Sequence, residues 1–232
     1  MHPHRLTIAV ASRLVIALAA VAACARGNGG AAGGEGSPLL SPNDSELVRA
    51  APDSFRVDLQ TSKGLITVVA RRAWAPHGVD RFYYLAKHGY YDSTYFFRVI
   101  ENFVAQVGIS GNPSINAAWE NRRIPDDEVR HPNTRGTVSF ASQGPASRSV
   151  QLFINLRDNP KLDTYGGGFP PIAEVTSGLN VAESLYDGYG EGAPSGLGPR
   201  QDLIADQGNA YLRRYFPQLD LIQRATIVQE WR

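Results

Sequence analysis

The chain has 232 residues, with 23 Lys and Arg against 22 Asp and Glu, for a formal charge of +1. That balance lacks the basic excess of a nucleic-acid binder, so no nucleic-acid partner is expected. One cysteine excludes a disulfide framework and any multi-cysteine zinc site, while 43% hydrophobic residues suffice for a globular core and 23 Gly with 15 Pro predict a turn-rich fold.

Arg5 and Arg13 give a basic start, and residues 14–23 are an uninterrupted apolar run. Such a run is too short to span a bilayer and reads as a signal-peptide core over residues 1–23. It ends in Val21-Ala22-Ala23-Cys24, which resembles a bacterial lipobox, in which the cysteine is lipidated and becomes the new N-terminus. The resemblance implies loss of Arg5 and Arg13, which takes the formal charge from +1 to −1. It also implies an exported cell-envelope lipoprotein, held to a membrane by acyl chains and facing the periplasm if the cell is Gram-negative.

Residues 25–38 are mostly Gly, Ala and small polar residues, a composition that cannot order itself. As a flexible tether this segment reaches roughly 20 Å. Ser41 as cap and Pro42 at the first position predict a short helix to about Ala50. Cys24, the linker and this helix make up residues 24–52, and the folded domain is expected over 53–232.

Residues 56–60 and 65–70 alternate as two strands around the Ser62-Lys63-Gly64 turn, which predicts a hairpin. Pro76 opens a helix whose Val79, Phe82, Leu85 and Ala86 share one face, and Gly89 closes it. Further strands are predicted at 95–100, 104–107, 137–141, 151–155 and 172–175. A second helix is expected at 179–186, an extra helix within 207–216 and a last strand at 222–228. Many short strands with a helix near each end predict a mainly-β fold, a closed eight-stranded antiparallel barrel capped by two α-helices.

Familiar catalytic groups are scarce. His77, His88 and His131 have no metal spacing, and they read as structural or solvent-facing. There is no Gly-x-Ser-x-Gly elbow, and Cys24 is committed to the N-terminus. Gly166-Gly167-Gly168 lacks the Lys-Ser/Thr of a phosphate loop, and Asp126-Asp127-Glu128 reads as a solvated loop. No metal or cofactor is expected. What remains is a site built from Arg, Gln and aromatic residues.

The run from Phe96 to Gly108, FFRVIENFVAQVG, resembles the central signature of the cyclophilin-type peptidyl-prolyl isomerases. Four further stretches agree in order. These are Phe82-Tyr83-Tyr84-Leu85 with Gly89-Tyr90-Tyr91-Asp92, then Gly136-Thr137-Val138-Ser139-Phe140-Ala141, then Ser149-Val150-Gln151-Leu152-Phe153-Ile154, then Leu162-Asp163 with Gly168-Phe169 and Ala173-Glu174-Val175. The resemblance spans residues 55 to about 229 and implies the cyclophilin-like barrel. Phe97 stands where many members carry His, and Lys161 where several carry Trp.

The resemblance implies an isomerase acting on Xaa-Pro bonds of unfolded or nascent exported proteins, as a monomer. Rotation about a peptide bond faces a barrier of about 18–20 kcal/mol from amide resonance, and no bond is broken. At the twisted state the prolyl nitrogen gains a lone pair, which a fixed guanidinium stabilises more than it does the planar amide. By family position Arg98 and Gln106 are the catalytic candidates. Phe103, Val104, Phe153 and Leu162 supply the proline socket, and Phe169 is a further substrate-binding candidate. Gln151 bonds the substrate backbone or orients the arginine, and Ala141 and Ser142 form a strand edge for the residue before proline. The alternative is a non-catalytic cyclophilin-like module that binds Pro-containing peptides. The Arg98-Phe103-Gln106 set favours the enzyme, since a pure binder has no need of the arginine.

Overall fold

The computed structural model describes residues 37–232. The expected signal segment, Cys24 and tether residues 25–36 lie outside the described residues. Among the described residues, no helix is long and apolar enough to cross a membrane.

The strands are β1 (Ser54–Thr61), β2 (Gly64–Arg71), β3 (Thr94–Tyr95), β4 (Arg98–Ile100), β5 (Val104–Val107), β6 (Thr137–Phe140), β7 (Leu152–Asn155), β8 (Pro171–Ser177) and β9 (Leu221–Trp231). They form one antiparallel sheet in the order β3-β9-β1-β2-β8-β6-β7-β5-β4. The predicted hairpin is β1–β2, in register from Ser54↔Arg71 to Thr61↔Gly64. Its alternation sends Phe55, Val57, Leu59, Ile66, Val68 and Ala70 into the core. The hydroxyl of Thr61 fixes the turn by accepting from the amides of Lys63 and Gly64, both at 3.1 Å.

The closed eight-stranded barrel is corrected here to an open, curled sheet of nine strands. Its end strands, β3 and β4, are separated in the chain only by Phe96 and Phe97, so the sheet curls until its ends meet at that dipeptide. No ladder joins them. The expected single strand over 95–100 breaks because the Phe96 amide bonds the Asp220 carbonyl at 2.9 Å while Phe97 turns into a separate apolar cluster.

The helices are α1 (Asp44–Leu47), α2 (Pro76–Lys87), α3 (Pro113–Trp119), α4 (Leu179–Glu183), α5 (Gln201–Gln207) and α6 (Asn209–Tyr215). α1 is capped by Asn43 rather than Ser41: the Asn43 side chain accepts from the Ser45 amide at 3.0 Å. Residues ahead of β1 pack on α2 and α3. Trp119 Nε1 donates to the Leu39 carbonyl at 2.9 Å, and the Ala51 amide donates to Asp80 at 2.8 Å.

α2 lays Val79, Phe82, Leu85 and Ala86 on the sheet, as its spacing predicts. Its first amides, His77 and Gly78, donate to the Asp127 carboxylate at 3.0 and 2.9 Å. Asp127 also meets Arg148 at 3.2 Å, with side chains 2% and 1% exposed. The expected solvated loop at Asp126-Asp127-Glu128 is therefore corrected at Asp127, a buried clasp on unsatisfied helix amides.

α3 and α5 have no counterpart among the expected elements, and α4 is shorter than the expected 179–186. The extra C-terminal helix is α6. Its Tyr211 and Leu212 join Phe97, Ile109, Ile204 and Leu219 in a second core cluster, so the expected packing on the barrel is corrected to packing on α5 and on the segments that flank the strands. Phe97, in the place of the family's frequent His, sits in the same apolar cluster as these helix residues.

Candidate active site

Three adjacent strands set the first row of the site. Arg98 of β4 pairs with Gln106 of β5, and Gln106 pairs with Phe153 of β7. Directly opposed residues project from the same face, so the register alone aligns these side chains. Between β4 and β5 the chain turns tightly: the Phe103 amide donates to the Ile100 carbonyl at 3.0 Å, and Asn102 takes φ +54°. Asn tolerates that left-handed conformation better than most residues. The turn brings the Phe103 ring beneath Arg98, whose Cζ lies 5.7 Å from the ring centroid.

Arg98, Phe103, Val104, Gln106, Ala141, Ser142, Gln151, Phe153, Leu162 and Phe169 all line one cleft of about 1050 Å³. Phe153 meets Phe169 edge-on at 5.7 Å. The Phe169 amide donates to the Leu162 carbonyl at 2.9 Å, which joins two walls of the apolar socket. The Ala141 amide donates to the Gln151 carbonyl at 2.9 Å. The Ser142 hydroxyl is taken up by its own loop: it accepts from the Gly144 amide at 3.0 Å. This commits the side chain to shaping the loop.

A buried amide network behind the socket had no signal in the motifs. Asn133 donates to Asp163 at 2.8 Å and to the Phe169 carbonyl at 2.9 Å. Asn159 donates to the Phe103 carbonyl at 3.1 Å and to the Asn155 side chain at 2.7 Å. All three asparagines are buried. Buried polar groups with satisfied partners hold a single arrangement, so this network fixes the walls that carry Phe103, Leu162 and Phe169.

The polar row extends beyond the expected residues. Gln106 accepts from Arg98 Nη1 at 3.2 Å and donates to Gln151 at 2.8 Å. Gln151 in turn donates to Gln201, the first residue of α5, at 3.1 Å. At the other end Arg98 donates from Nε and Nη2 to the two carboxylate oxygens of Glu191, at 2.6 and 2.8 Å. The hydrogen bond from Arg98 is the main cause holding the Glu191 carboxyl below its ordinary value, against partial burial, with the Gly192 amide and the charge of Arg98 assisting. Glu191 and Gln201 were missed by sequence reasoning. Glu191 sits in GEGAPSGLG, which reads only as a turn, and Gln201 opens a helix too short to show a period.

This geometry belongs to a recognisable class. The model of the cyclophilin-type peptidyl-prolyl cis-trans isomerase/CLD family matches residues 56–198. A Schizosaccharomyces pombe peptidyl-prolyl cis-trans isomerase is 37% identical over 132 residues, covering 56% of this chain and 83% of the relative. Escherichia coli peptidyl-prolyl cis-trans isomerase B is 31% identical over 160 residues, covering 65% of this chain and 96% of the relative. Among solved structures, a Cryptosporidium parvum cyclophilin superposes with TM-score 0.55 at 20% identity, over 76% of this chain and 99% of that one. The chain belongs to the cyclophilin-type peptidyl-prolyl cis-trans isomerase family. Its mainly-β fold and its enzyme class are those of that family.

Proposed function

We propose that this chain speeds rotation about Xaa-Pro bonds in exported proteins, working from a lipid tether at Cys24. The observation that carries the isomerase reading is the placing of Arg98. A guanidinium has five N–H donors. Among the described residues, two of these donate to Glu191 and one to Gln106, so one Nη1–H and one Nη2–H remain.

Arg98 lines the same cleft as the apolar side chains Phe103, Val104, Phe153, Leu162 and Phe169. A proline seated there presents its amide to Arg98. As the bond twists, conjugation is lost and the nitrogen becomes a better acceptor. A donor already in place then stabilises the twisted state more than the planar one. Uncatalysed exchange takes tens to hundreds of seconds, so each 1.4 kcal/mol gained at the twisted state is about tenfold in rate. The edge at Ala141 and Ser142 would hold the residue before proline, and Gln151 a substrate backbone group.

The test is exchange spectroscopy by NMR on a short Ala-Pro peptide. The unmodified protein should accelerate exchange, and Arg98→Ala should lower kcat/KM by about 100-fold while the peptide still binds, as expected for removal of one fixed donor. Binding without acceleration in the unmodified protein would leave a peptide-holding module.

The tether reading is supported by the apolar run and by the place of the one cysteine. A cell grown with radiolabelled lipid should label the full chain, and Cys24→Ser should abolish the label. A mutant that still takes up lipid would sink this reading.

A further inference from the structure

The hydrogen-bonded row Gln201–Gln151–Gln106–Arg98–Glu191 begins and ends in a segment that no motif marks. We infer that Glu191 is a positioning residue for Arg98, gripping the guanidinium side-on so that its outer N–H groups stay turned to the prolyl amide. This rests on Arg98 being the donor in the isomerase reading above.

Gln106 alone does not fix the guanidinium. One hydrogen bond of 3.2 Å is a pivot about which the plane can turn. Two parallel bonds to one carboxylate set the plane, which is the geometric benefit of a fork-to-carboxylate pair. Glu191 takes the Nε edge, at 2.6 and 2.8 Å. Had it taken the Nη1–Nη2 end instead, the carboxylate would fill the place of the substrate. The side-on grip therefore orients the arginine without blocking it.

The loop that carries Glu191 is itself built to hold it. The Glu191 carbonyl accepts from the Gly198 amide at 2.8 Å, and its carboxylate accepts from the Gly192 amide at 2.9 Å. A Cβ on Gly196 would lie 2.4 Å from the Glu191 carbonyl oxygen, so only glycine lets the loop close this tightly. The Glu191 side chain is 41% exposed, and an ion pair so open contributes little to stability. Its use is to be sought at the site.

The test measures kcat and KM separately on the Ala-Pro peptide, using the full chain with Glu191→Ala, Glu191→Gln and Gly196→Ala. Glu191→Ala should lower kcat about 10-fold with KM nearly unchanged, since misorientation of a positioned group acts on the reacting geometry. Glu191→Gln keeps an acceptor and should recover part of the loss. Gly196→Ala keeps the carboxylate but displaces it, and should resemble Glu191→Ala. The Arg98 Nε–H resonance should exchange slowly with water in the unmodified protein, be lost in Glu191→Ala and return in Glu191→Gln. An unchanged kcat in Glu191→Ala overturns the proposal. A raised kcat also overturns it, and makes Glu191 a restraint on the arginine. No acceleration by the unmodified protein would instead overturn the isomerase reading, and the positioning role with it.

Discussion

The row on β4, β5 and β7 and the segment from residue 187 to 219 serve one cleft by different means. The row is set by strand register. Once β4 pairs with β5 and β5 with β7, Arg98, Gln106 and Phe153 are neighbours on one face. The later segment has no register to the row. Glu191 arrives on a glycine-rich loop, and Gln201 arrives at the start of a seven-residue helix. The helices behind it are held by a small cluster around Phe97, separate from the main core. A site half written in strands and half in loops should fail in two ways. Damage to the sheet removes the donor, and damage to the segment leaves the donor present but badly held.

The sharpest way to separate the halves is to loosen the later one alone. Gly208 joins α5 to α6 at φ +59° and ψ −151°, a region that in practice only glycine occupies. A Cβ there would lie 2.1 Å from the Gly111 carbonyl oxygen, which the Asn209 amide bonds at 3.1 Å. Gly208→Ala should cost more than the about 1–3 kcal/mol of backbone strain alone, because the Gly111 carbonyl must also shift. Hydrogen exchange by mass spectrometry should show the loss in α5 and α6, with protection of the β1–β2 hairpin kept. Catalysis should fall as Gln201 leaves Gln151. Equal loss of protection in the hairpin would mean that the two regions fold as one unit and that the contrast between them is false.

The same contrast explains what could be read from the sequence. The hairpin and α2 carry strong periodicity, and the run from Phe96 to Gly108, which includes Arg98 and the strand at Val104–Val107, carries a family pattern. The members of the row were legible through that resemblance, while their side-by-side placing comes from the strand register. The break at Phe96 was not, because it depends on a bond to Asp220, over a hundred residues away in the chain. α3 had a weak local signal in Asn112-Pro113, where the Asn112 side chain accepts from the Ser114 amide at 2.9 Å, but seven residues hold too few turns to show a face. Glu191 had none. Whether a loop carboxylate meets an arginine is decided by how the loop closes, and Gly192, Gly196 and Gly198 announce only that it closes tightly.

The smallest expected effect concerns pH, and it tests how firmly the loop half holds the strand half. The Arg98 hydrogen bond keeps the Glu191 carboxyl below its ordinary value of 4.5, outweighing the opposing effect of partial burial. A carboxyl whose value is depressed by folding contributes fully above its unfolded value and loses that contribution as pH falls through the folded one. The ratio of kcat between the unmodified protein and Glu191→Gln should therefore stay constant from about pH 8 to about pH 5 and shrink toward unity only in stronger acid. Glu46 beside Lys87 and His88, and Asp202 beside Arg200, are also held low. They are common to both proteins, so the ratio removes them. A ratio that already declines near neutral pH would show that Arg98 does not hold the Glu191 carboxylate, and the two halves of the site would then be in contact without being coupled.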